Sequence, residues 1–210
     1  MPVHLITVHG LNTINPWYYK SWVKEIPNSQ HMKICPVKWK SWSWEKDLFN
    51  IYMSKIYRDQ QIQKIIDEIK KAGNNPILLI SHSWGTVWTY KAWHRLKNEL
   101  KGPIWSVMVG AALGGTNLPF GSIYVDAIKQ EYSKEKTPEN IERLFNLYNN
   151  DDYISSRVFI DRMENFRIDT GGFNPGFQEH NATLYFKTME FHWILEQFSI
   201  KFKEQLNIEK

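Results

Sequence analysis

The run Ile77-Leu78-Leu79-Ile80-Ser81-His82-Ser83-Trp84-Gly85-Thr86 constrains this chain more than any other segment. Four consecutive large apolar residues without polar alternation mark a strand buried on both faces, as in parallel sheets. Ser81, Ser83 and Gly85 then carry small residues through a tight turn, and a helix-like segment follows at once. A strand that turns this sharply into a helix forces its central residue, Ser83, into a strained backbone conformation with the hydroxyl exposed. Small neighbours two positions to either side avoid the clashes such a turn creates. Ser83 is thus a candidate nucleophile, set against the plainer reading of a strand–loop–helix connection that happens to contain serine.

The rest of the chain repeats this alternation. Val3 to Val8 is a β-rich run ending at His9-Gly10, and Met32 to Trp39 is a second candidate strand. Pro36 interrupts the latter and suits an edge position. From about Asp47 to Lys71 the pattern is helical, with Ile62, Ile65, Ile66 and Ile69 on one face. A helix from about Trp84 to Leu100 follows the Ile77 strand, and Ile104 to Leu113 reads as another buried strand. Strands are expected at Arg143–Tyr148 and Asn165–Thr170, and a final helix from about Asn181 to Leu206. Roughly six strands alternating with helices define an α/β protein, a mostly parallel sheet with helices on both faces. Residues 1–210 read as a single domain, with the irregular segment 114–138 as a possible small lid.

Composition narrows the partners. The net charge is a modest +4, and lysines such as those from Lys129 to Lys136 alternate with glutamates, so no nucleic-acid patch is expected. No run approaches the roughly 18 apolar residues of a membrane span. The single cysteine, Cys35, lies in an apolar stretch and reads as a buried core thiol. The chain enters its first strand at Val3 without a signal-peptide pattern, so a cytoplasmic location is expected. No H-E-x-x-H or similar ligand spacing occurs, and neither a metal nor an organic cofactor is called for.

Functional groups of such a sheet gather at the carboxyl ends of its strands. Candidates stand there in order. His9-Gly10-Leu11-Asn12 follows the first strand, and Asn149-Asn150-Asp151-Asp152-Tyr153-Ile154 follows the strand ending at Tyr148. A Gly/Pro-rich loop then delivers His180 at the start of the final helix, where it can serve Ser83 as general base. His192 lies inside that helix, away from the strand ends, and the side chain of His82 should point away from the turn. Asp151 and Asp152 are both candidates for the carboxylate that fixes a histidine tautomer, or the pair simply forms an Asx turn.

The turn at Ser83, with an acid and then a histidine following in chain order, resembles the α/β-hydrolase superfamily of the serine esterase/lipase-like type over nearly the whole chain. The resemblance implies a compact α/β-hydrolase fold, a triad of Ser83, Asp152 and His180, and an acyl-enzyme intermediate. Family members often carry an aliphatic residue two positions after the acid, and Ile154 stands so to Asp152. The His9-Gly10 pair resembles the oxyanion loop, which implies backbone donors at Leu11 and Trp84. Two features depart from the family: Ser81 replaces the first glycine of the turn, and no antiparallel strands precede Val3. The implied substrate is a small carboxylic ester of short to medium acyl chain. Trp39, Trp42, Phe120 and Tyr153 are candidate pocket walls. Peptidase, amidase or thioesterase chemistry on the same triad, or a non-catalytic binding protein of this fold, are the alternatives.

Overall fold

The computed structural model describes residues 2–10, 17–39, 46, 50, 54–97, 99–114, 136–169 and 180–208. Its frame is a six-stranded sheet in the order β2-β1-β3-β4-β5-β6. The strands are β1 (Val3–Val8), β2 (Met32–Val37), β3 (Ile77–His82), β4 (Ile104–Val109), β5 (Ile141–Tyr148) and β6 (Met163–Arg167). Every pairing is parallel. Helices α1 (Tyr19–Lys24), α2 (Lys55–Ala72), α3 (Trp84–Leu96), α4 (Ala182–Tyr185) and α5 (Met189–Lys201) cover the sheet. This is the α/β architecture expected from the alternation of apolar runs and helical patterns.

Successive strand residues point to opposite faces, and here both faces are dry. Val3 and Leu5 share a core with Trp22 of α1 and with Phe191 and Phe198 of α5. Ile6 and Val8 pack instead with Ile62 and Ile65 of α2 and Trp88 of α3. The unalternating run Ile77–Ile80 splits the same way, Leu78 and Ile80 to one core, Ile77 and Leu79 to the other. Burying one such aliphatic or aromatic side chain contributes about 1.5–3 kcal/mol, so exchanging a strand residue for a polar one damages whichever layer it faces. β2 is an edge strand, where Pro36 forfeits no pairing on its outer side. Cys35 is buried. Among the described residues, no helix is long and apolar enough to cross a membrane.

Several boundaries differ from the sequence expectation. The strand expected to run to Leu113 ends at Val109, because Gly110 takes φ +57° and turns the chain. Within the helix expected from about Asp47, Asn50 is helical, but Ser54 is extended and caps a helix that starts at Lys55, accepting the Tyr57 N–H at 3.1 Å. β6 lies at Met163–Arg167 rather than at 165–170. The single helix expected from Asn181 to Leu206 is two. Asn181 caps α4 by accepting the Thr183 N–H at 3.0 Å. The Thr188 hydroxyl then donates to the Tyr185 carbonyl at 2.8 Å and accepts the Phe191 N–H at 3.4 Å. One hydroxyl thereby closes α4 and opens α5, satisfying orphan groups of both ends. Of the segment expected as a lid, only residues 114 and 136–138 fall within the described residues.

Candidate active site

Strand register brings the functional segments together. Val37, Val8, Ser81, Met108, Asn146 and Asn165 lie in one row across the sheet. Beyond this row lies the carboxyl edge: His9-Gly10 after β1, Ser83 after β3, Gly110 after β4 and the Asp152 loop after β5. Asn146 helps hold that loop, donating to the Ser156 carbonyl at 3.0 Å and to Asn165 Oδ1 at 2.8 Å.

Ser83 occupies the junction of β3 and α3 with φ +55° and ψ −130°, a conformation that L-residues avoid. The strain is held in place from both sides. Its N–H donates to the Val109 carbonyl at 3.2 Å, and its carbonyl accepts the Thr86 hydroxyl at 2.6 Å. A Cβ on Gly85 would sit 2.5 Å from the His9 carbonyl oxygen, so only glycine lets α3 begin this close to β1. Gly10 packs equally tightly on the serine, a Cβ there falling 2.5 Å from Ser83 Cβ. Ser81, where the family pattern has glycine, is fully buried. Ser83 itself is 7% exposed.

His180 and Asp152 meet at the same edge. His180 Nδ1 lies 2.7 Å from Asp152 Oδ2. The carboxylate can only accept, so Nδ1 carries the proton and Nε2 of the neutral ring keeps its lone pair. His180 Nε2 is buried and has no hydrogen-bond partner among the described residues. Asp152 Oδ1 accepts the N–H groups of Ile154 and Ser155 at 2.9 and 3.3 Å. Burial pushes the Asp152 carboxyl up, but the hydrogen bond and charge of His180, the Tyr185 hydroxyl and the Ile154 N–H outweigh it and hold the group below its ordinary value. Asp151, the other candidate acid, is exposed.

Three residues that strand-end reasoning did not assign complete the setting. Gly110 floors the pair, a Cβ there lying 3.2 Å from His180 Cε1 and 3.4 Å from Asp152 Oδ2. His82, whose side chain was expected to point away from the turn, lies on the opposite side of β3 from Ser81. It packs edge-on against Trp22 and bonds through Nε2 to the His180 carbonyl at 2.9 Å. Tyr185 donates to Asp152 Oδ2 at 2.6 Å. The glycine after an apolar strand was a legible signal; the two ring contacts arise from tertiary packing alone.

The remaining candidates separate. Trp84 is buried as the first residue of α3, which puts its backbone N–H at a helix N-terminus beside Ser83. Trp39 is also buried, its ring 4.1 Å from that of His9. His9 donates from Nδ1 to the Gly10 carbonyl at 2.7 Å, and burial holds it neutral, its pKa lowered to about 4. Tyr153 stands 47% exposed beside Asp152. Leu11, Trp42 and Phe120 lie outside the described residues. His192 is exposed on α5, remote from the carboxyl edge in chain placement. No group of three or more His, Cys, Asp or Glu residues is gathered as a metal site among the described residues.

An all-parallel sheet with a strained serine between strand and helix, and a His–Asp pair on the same carboxyl edge, gives the chain an α/β-hydrolase fold. Solved structures of that fold superimpose on it. One of the metagenome-derived lipolytic enzymes LipS and LipT matches with a TM-score of 0.57 at 11% identity, over 96% of this chain and 94% of the other. Carboxyl esterase 2 of the mycorrhizal fungus Tuber melanosporum matches with 0.54 at 11% identity, over 98% and 79%. An extracellular α/β-hydrolase from a Paenibacillus species matches with 0.51 at 10% identity, over 95% and 98%. The chain spans about half the length, 49%, of a metagenomic carboxyl esterase that it matches with a TM-score of 0.41. Likeness at these identities is likeness of fold. No protein-family model matches the sequence, and no curated protein matches it.

Proposed function

We propose that this protein is a serine hydrolase acting on a small carboxylic ester of short to medium acyl chain, with residues 1–210 as one catalytic domain. Ser83 Oγ adds to the ester carbonyl carbon while His180 Nε2 takes its proton. The backbone N–H groups of Trp84 and Leu11 hold the oxyanion, a kind of donor whose loss costs about 2.7–4 kcal/mol of transition-state stabilisation. The imidazolium returns its proton to the leaving alcohol. Water, deprotonated by the same nitrogen, then releases the acid and frees Ser83. Asp152 keeps Nδ1 protonated throughout and stabilises the cationic ring. Trp39, Trp42, Phe120 and Tyr153 are the residues we assign to the substrate walls.

One observation carries this reading. The histidine on the edge that holds Ser83 is locked by its acid into the tautomer whose Nε2 lone pair is available, and that atom is buried without a partner among the described residues. The likeness of fold to esterases and lipolytic enzymes supports it.

The test is intact mass after exposure to a fluorophosphonate. A single adduct on the parent chain and none on Ser83→Ala is the expected result. Asp152→Asn should slow labelling by about 10³–10⁴-fold, the scale of losing an imidazole's tautomer, whereas Asp151→Asn should label like the parent. No adduct on a folded parent protein overturns the reading. A panel of esters, thioesters and amides then fixes the acyl-transfer class.

A further inference from the structure

The Asp152 carboxylate carries more donors than tautomer control of His180 needs. Oδ1 takes the Ile154 and Ser155 N–H groups, and Oδ2 takes both His180 Nδ1–H and the Tyr185 hydroxyl. The Asp152 side chain is wholly inaccessible to solvent, so water cannot stand in for the phenol. A buried carboxylate needs its lone pairs satisfied, and Tyr185 supplies the donor that backbone geometry leaves out. The tyrosine is itself immobilised: its ring is fully buried, and its carbonyl is tied by the Thr188 hydroxyl. It also ends the short helix that starts just after His180, so one turn of helix delivers both donors to one oxygen.

We propose that Tyr185 is a positioning residue of the hydrolytic site: its hydroxyl holds Asp152 Oδ2 against His180 Nδ1 and keeps the shared proton on the imidazole. Two donors on one oxygen compete, so the phenol draws electron density from Oδ2 and makes it a weaker base. The imidazolium formed during turnover then does not surrender its proton to Asp152. Burial and the adjacent carboxylate push the phenol pKa well above its ordinary value, so the hydroxyl remains a donor. Among the described residues the other titratable group packed on this pair is His82, which burial first and the His180 charge second keep neutral, at about 3. The catalytic consequence rests on the hydrolase reading above; the action of Tyr185 on the His–Asp pair does not.

Tyr185→Phe keeps the ring and removes only the donor. Its expected kcat on an activated ester is about tenfold lower with KM within about twofold, the size of one lost hydrogen bond to a charged group. The acid limb of its kcat/KM profile moves to higher pH, because Oδ2 becomes more basic. In the resting protein the proton resonance of His180 Nδ1 moves downfield. A 3-fluorotyrosine placed at position 185 alone, a stronger donor of near-native shape, shifts that resonance the opposite way and serves if the phenylalanine variant fails to fold. In an Asp152→Asn background, Tyr185→Phe adds no further loss in labelling rate. An unmoved resonance, or an equal added loss in the Asp152→Asn background, overturns the proposal. A parent protein inert to fluorophosphonate removes the hydrolase reading, while the resonance still decides whether Tyr185 governs the pair.

Discussion

His82 donates from Nε2 to the backbone carbonyl of His180 at 2.9 Å, and the two imidazole rings lie 4.7 Å apart between centroids. The residue just before the strained serine therefore holds the chain at a histidine far along the sequence. A carbonyl can only accept, so His82 acts as a neutral donor, and its burial favours that form. His82→Leu should lower kcat about tenfold, as expected when a buried donor is lost and the partner carbonyl is left unpaired. His82→Gln, which retains a donor, should recover part of the loss. Steady-state kinetics on an activated ester check this, and an unaltered kcat in His82→Leu removes the residue from the positioning scheme.

The backbone strain at Ser83 should be visible in stability. A non-glycine residue at φ +55° and ψ −130° costs about 1–3 kcal/mol, offset by the extra unfolded-state freedom of glycine, about 0.5–1 kcal/mol. Ser83→Gly should therefore melt above Ser83→Ala, by about 2–4 °C per kcal/mol of net relief for a domain of this size. Both variants should be inert. Equal melting temperatures would show that position 83 carries no such strain.

Gly110 bears on the site through both backbone and space. Alanine there must adopt φ +57° and bring a methyl group within 3.2 Å of His180 Cε1. Gly110→Ala should destabilise by roughly 1–3 kcal/mol. It should also lower kcat/KM by roughly tenfold, because the imidazole must yield by only a fraction of the ångström that costs about a hundredfold. Calorimetry and kinetics on one preparation separate the two effects. Parent-like activity in a destabilised protein would place the distortion elsewhere.

Histidines lowered by burial, His4, His9 and His82 among them, make the fold acid-sensitive. Burial lowers His9 from 6.5 to about 4 and His82 from 6.5 to about 3. Each binds a proton less readily in the folded chain than in the unfolded one. Their contribution to stability is full above about pH 6.5 and is lost as pH falls toward 4 and then 3. Asp152, also lowered, adds to the loss in the same direction below its ordinary value of 3.8. Thermal melts between pH 8 and 4 should show a falling Tm below about 6.5. The slope should be shallower in His9→Gln, and a flat profile would contradict the burial assignment.

Much of this architecture was legible because buried parallel strands write themselves as uninterrupted apolar runs. Ile77–Ile80 is apolar at four adjacent positions because both of its faces meet helices, and Pro36 marks an edge because an edge strand has a side without a partner. The strand ends likewise pointed to Ser83, to the Asp151-Asp152 pair and to His180 as candidates. Helix breaks were harder to read. Apolar spacing continues through residues 184–198, and only the cap chemistry of Asn181 and Thr188 divides α4 from α5. α1 has six residues, too few for a periodic signal. Tyr185 and His82 escaped because nothing local distinguishes a tyrosine that packs in a core from one that also bonds a carboxylate. Their roles exist only once β3, β5 and the chain beyond β6 lie side by side.

That dependence on assembled strands sets a timetable. Ninety-eight positions separate His82 from His180, and ribosomes issue a chain from its N-terminus. On the proposed hydrolase reading, a growing polypeptide carries its serine in an unactivated state through most of synthesis. Reactivity switches on only when the segment containing His180 emerges and docks against the completed edge. On that reading, topology itself keeps an unfinished chain from attacking esters before its last strand-edge segment has docked.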